Sequence, residues 1–143
     1  MDPDTIFRFA NMLALAGWLA LLASPLQPAW SDRLAGTVVP ALLSVAYAGL
    51  LMAFWAGAEG GFGSLDDVAR LFGTRELLLA GWLPSLAFDL FVGAWIVRTA
   101  RAEAMPFALA LPCLPLTFLF GPAGFFAFVA LRAVLPGRRA AAA

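Results

Sequence analysis

The sequence predicts an all-α polytopic membrane protein with four transmembrane helices. Three observations carry this. Of its 143 residues, 63% are hydrophobic and the mean hydropathy is +0.90, where soluble domains average about 45–50% apolar. The apolar residues fall into four runs, roughly 6–24, 34–58, 76–99 and 107–135, each near or above the ~20 residues that cross ~30 Å of hydrocarbon. The charged residues, 13% of the chain, fall mainly between those runs. The length suits one transmembrane domain over 1–143.

The first run, Ile6 to Ser24, competes with a cleaved signal peptide. Asp2 and Asp4 beside a single Arg8 make a poor signal n-region, so a retained helix is expected. Pro25 ends it, and Trp30 suits an interfacial anchor. The second run holds Pro40, which should kink it. Ser44, Tyr47 and the spacing Ala53-x-x-x-Gly57 suit close helix packing.

The polar stretch from Glu59 to Arg75 is the one substantial connection. Ser64 three residues before Asp67 resembles a capping box. Leu65, Val68, Leu71 and Phe72 would then share a face, which predicts a short interfacial helix near 65–72. The glycines before it follow no strand and precede no GK[ST], so a nucleotide site is not expected.

The third run carries Asp89 near its middle. A charge at membrane depth costs roughly 2.5–3.5 kcal/mol on insertion scales, so this carboxylate invites a function or a partner. Ser85, Asp89 and Gly93 share one face at i, i+4 and i+8. Pro84 removes a backbone donor one turn earlier and predicts a bend. The fourth run contains Pro112, Pro115 and Gly121-Pro122-Ala123-Gly124, which predicts a helix broken at membrane depth.

Some chemistries lack their residues. There is no histidine and no lysine, so no histidine base, histidine-held metal or heme is expected, nor any other cofactor. No basic patch for nucleic acid is present. Cys113, the single cysteine, has nothing to activate it.

Asp89 supports three readings. It could be a catalytic acid or base, or a polar anchor, facing a pocket for a hydrophobic ligand. It could be the coupling residue of a small proton-coupled transporter. It could be structural, in a non-catalytic assembly protein, bonded to Asn11, Ser85, Tyr47 or an arginine. A pocket for a hydrophobic ligand would draw on Asn11, Tyr47, Trp82, Ser85, Trp95, Thr117 and Gly121. Partners are then the lipid bilayer, a hydrophobic small molecule and a further copy of the chain, since short spans enclose little volume. Four spans put both termini on one side with Arg8, Arg70, Arg75, Arg132, Arg138 and Arg139. Arg33, Arg98 and Arg101 fall on the other, which predicts cytoplasmic termini.

Three segments resemble a known family. They are Gly61-Phe62-Gly63-Ser64-Leu65, then Gly81-Trp82 with Leu86-Ala87-Phe88-Asp89-Leu90-Phe91-Val92-Gly93-x-Trp95, and then Leu111-Pro112-Cys113-Leu114-x-Leu116-Thr117-Phe118-Leu119-Phe120-Gly121-Pro122-x-Gly124. Together they resemble the abscisic-acid-deficient-four-like family of small membrane proteins, whose plant members are linked to neoxanthin synthesis. The resemblance implies binding, and isomerisation, of a carotenoid or other isoprenoid, with Asp89 as the one mid-span carboxylate able to move a proton. Where relatives commonly carry histidine, this chain has Pro84 and Phe107.

Overall fold

A computed structural model describes residues 1–135, and the described residues are helical with no strand. Three helices are long and apolar enough to cross a membrane: α1 (Pro3–Leu22), α2 (Pro28–Gly57) and α4 (Arg75–Ala102). A short α3 (Leu65–Leu71) precedes α4. The last apolar run divides into α5 (Phe107–Phe120), with a turn at 111–112, and α6 (Pro122–Val134).

Local chemistry explains most of these boundaries. Pro3 opens α1, where its missing N–H is no loss. Within α2, residues Leu34–Val38 form a π-turn that leads into Pro40. A proline ring collides with the carbonyl four residues back and offers it no donor, and a widened turn is one way a helix absorbs both faults. The helix therefore continues through Pro40. Ser64 caps α3 by accepting the Asp67 N–H at 3.1 Å, as its spacing predicted. The Asp67 side chain does not complete the box; it pairs with Arg70.

α4 also runs unbroken past its proline, Pro84. Its end is a Schellman arrangement, with Met105 N–H donating to Ala100 O at 2.8 Å and Ala104 N–H to Arg101 O at 3.1 Å. Ala104 takes the left-handed position, at φ 53°.

α4 is the centre of the molecule and carries its longest set of buried residues, among them Leu83, Leu90, Ala94 and Ile96. α1 lies parallel to it, as successive contacts show: Asp4 with Arg75, Phe7 with Trp82, Gly17 with Leu90, and Trp18 with Gly93. A Cβ on Gly93 would come within 2.7 Å of the Trp18 ring. Small residues thus let the two backbones approach, the usual device where lipid removes any hydrophobic drive between helices. α2 packs antiparallel to α4 and also touches α1, with Gly36 near Arg98 and Tyr47 near Pro84.

The fourth run departs from expectation. It breaks, as its prolines predicted, but α6 does not continue toward the end of the bundle where α1 begins. Gly121 adopts φ +34°, Pro122 opens α6, and Gly124 packs directly on the Thr117 backbone. α6 therefore turns back beside α5. Its contacts then ascend α4 in order: Gly121 with Asp89, Phe125 and Phe128 with Trp95, and Arg132 with Glu103. Arg132 lies eleven residues past Gly121, about 16 Å of helix, which suits the climb from Asp89 to Glu103. α5 and α6 form a hairpin that enters from the C-terminal end of α4, reaches its middle and returns.

That geometry does not support four full spans with both termini on one side. Leu135 lies at the opposite end of α4 from Pro3. Arg8, Arg70 and Arg75 sit at one end and Arg33, Arg98, Arg101 and Arg132 at the other. Arg138 and Arg139 lie outside the described residues. Among the described residues the arginines divide three and four and do not support cytoplasmic termini.

Candidate functional site

The tip of the hairpin meets Asp89. A Cβ built on Gly121 would lie 3.0 Å from Asp89 Cγ and closer still to Oδ1. Only glycine gives both the left-handed turn and room for the carboxylate. Asp89 is half-buried and makes no hydrogen bond or ion pair with any described residue. The N-terminal end of α6, at Gly121–Pro122, lies against it. A helix N-terminus stabilises a carboxylate by about 0.3–1 kcal/mol and by up to ~2 in sheltered geometry. That offsets only part of the ~3 kcal/mol for a charge at this depth.

The surroundings are apolar and open sideways. Ser85, one turn before Asp89, is exposed, and so are Phe88, Phe91 and Phe120. In a bilayer these face lipid, so the carboxyl group is reached laterally from the hydrocarbon. Behind it, Trp18 stacks edge-on against Phe118 at 5.6 Å. The hairpin is held by contacts of its own: Thr117 is fully buried and donates its hydroxyl to Cys113 O at 2.7 Å. Trp95 packs between Phe125 and Phe128, with the Arg132 guanidinium 5.7 Å from its ring.

The other residues singled out in the sequence do not converge on Asp89. Asn11 donates to Phe7 O at 2.7 Å within its own helix. Trp82 packs on Phe7 at 5.9 Å and lines a separate groove beside the Asp4–Arg75 pair. Tyr47 lines a groove between α2 and α4. Trp95 and Thr117 serve the hairpin. Gly121 alone touches Asp89, and Ser85 shares its face one turn away. Gly124 marked the break in the sequence, and the structure adds that it lets α6 lie directly on the Thr117 backbone.

A laterally accessible carboxylate at mid-helix, facing a hairpin that enters and leaves by one side, defines a class: a helical membrane protein with a re-entrant element at its polar site. The ABA DEFICIENT 4-like family profile matches residues 5–128, and the chain belongs to that family. No curated protein and no solved structure matches it.

Proposed function

We propose that the protein binds a carotenoid or related isoprenoid from the bilayer and isomerises it at Asp89. The observation that supports this most is the carboxylate itself, unpartnered among the described residues and open to lipid beside exposed phenylalanines. A water-soluble substrate would need an aqueous path to it; a lipid-soluble one needs only the lateral opening. The family adds the reaction class. Opening an epoxide to an allene is an isomerisation, so proton gain and loss must balance. As a carboxylic acid, Asp89 gives its proton to the epoxide oxygen while a ring C–O bond breaks. As a carboxylate, it then takes a proton from the adjacent polyene carbon, forming the cumulated double bonds and a hydroxyl group. One residue returns to its starting state, and no histidine is required.

The test uses wild type and Asp89→Asn in liposomes supplied with an epoxycarotenoid, with the pigments separated by chromatography. Wild type is expected to yield the allenic isomer, and Asp89→Asn to retain the pigment with conversion down by at least a hundredfold. Equal conversion by the two proteins would overturn the role of Asp89. The contact with Gly121 favours a second, structural reading, in which Asp89 only secures the N-terminus of α6. On that reading Asp89→Asn lowers the melting temperature and changes no turnover.

A further inference from the structure

A second polar cluster lies at the other end of α4, 8 to 12 residues from Asp89, or about 12–18 Å along the helix. Here the α1–α2 turn, the last turns of α4 and the start of α5 line an open pocket of about 310 Å³. Ser24 and Arg101 are its polar lining; Val97, Met105 and Phe107 line the rest. Arg101 Nη1 donates to Asp32 Oδ2 at 2.8 Å.

The segments that line this pocket carry under-bonded oxygens. Ser24 is 1% exposed and Ser31 2% exposed, and neither hydroxyl has a hydrogen-bond partner among the described residues. Asp32 Oδ1 is buried beside the ion pair with none either. Ser24 lines the pocket, Asp32 is tied to the lining Arg101, and Ser31 precedes Asp32 in the chain. Buried polar atoms are nearly always paired, so these orphans point to a missing group that both donates and accepts.

We propose that this corner binds the hydroxyl-bearing head of a neutral lipid. Charge excludes the alternatives. Asp32 already neutralises Arg101, and its second oxygen needs a donor, which a phosphate or carboxylate head cannot supply. A cation would meet the Arg101 guanidinium. A hydroxyl or glycol donates to the carboxylate oxygen and exchanges hydrogen bonds with the serines, while Val97, Met105 and Phe107 take the adjoining chain. The level in the membrane agrees. Trp30, at 72% exposure, lies two residues past the lining Pro28, where an aromatic belt meets the headgroups. The proposal is independent of any role for Asp89.

The experiment uses the full chain in an amine-oxide detergent, which carries no hydroxyl, titrated with 1-monooleoylglycerol, oleate or methyl oleate. Binding is read by thermal shift and native mass spectrometry. Monooleoylglycerol is expected to bind at least tenfold more tightly than either of the others. Ser24→Ala removes a hydroxyl that has no partner, so the ligand-free protein should melt no lower. Its affinity for monooleoylglycerol should fall about three- to tenfold, the worth of one hydrogen bond. The proposal is overturned if oleate binds as well, if Ser24→Ala leaves the affinity unchanged, or if monooleoylglycerol does not bind.

Discussion

Gly121 is the residue on which the candidate site turns. It carries φ +34° and faces the Asp89 carboxylate with no room for a Cβ. Gly121→Ala adds a left-handed penalty of about 1–2 kcal/mol and a steric one of about 1–3 kcal/mol. A loss of roughly 2–4 kcal/mol is expected, read as a lower melting temperature in detergent. Part of it should return in the double variant with Asp89→Ala, because the two sites share one contact. If the two losses simply add, the Gly121–Asp89 contact does not carry the strain. The sequence marked both residues, Asp89 by its cost and Gly121 by its place between prolines. Their contact was not legible, because they are 32 positions apart and nothing local links them.

At the level of elements, the returning helix α6 is tied to α4 near its end by Arg132 and Glu103. Arg132 Nε donates to Glu103 Oε2 at 3.0 Å and Nη2 to Oε1, with both side chains about four-fifths buried. Charged hydrogen bonds of this kind are worth ~1.5–3 kcal/mol each at full burial. Some exposure lowers that, and Glu103→Gln is expected to cost about 1–2 kcal/mol. The measurement is denaturation in mixed micelles, and a change within ±0.3 kcal/mol would show that packing on Trp95 alone holds the helix. Periodicity, caps and prolines made most of the helices readable in advance, including the short α3 and the break at Gly121. They could not show how the helix hydrogen bonding accommodates Pro40 and Pro84. A π-turn before Pro40 lets α2 continue, and α4 passes Pro84 unbroken.

For the whole molecule, the hairpin fixes which loops share a side of the membrane. With Cys113→Ala as background, single cysteines at Gln27 and Val134 should react with a membrane-impermeant maleimide from one side of sealed vesicles. A cysteine at Glu59 should react only from the other. If the Val134 cysteine labels together with that at Glu59, α5 and α6 form a full span and the hairpin is wrong. The same assay gives the orientation that the arginines, three at one end and four at the other among the described residues, no longer indicate. By itself the sequence pointed to a helical membrane protein resembling a particular family, with four apolar runs, a costly carboxylate in the third and prolines that break the fourth. These follow from composition, hydrophobic length and backbone chemistry, all of which act locally. Only the tertiary structure decided that the fourth run folds back, that Asp89 meets its tip and that Tyr47, Trp82 and Asn11 lie elsewhere. An apolar helix of 13 residues is equally soluble in lipid pointing up or down, and its direction is set by what it packs against: Trp95, Glu103 and the Thr117 backbone.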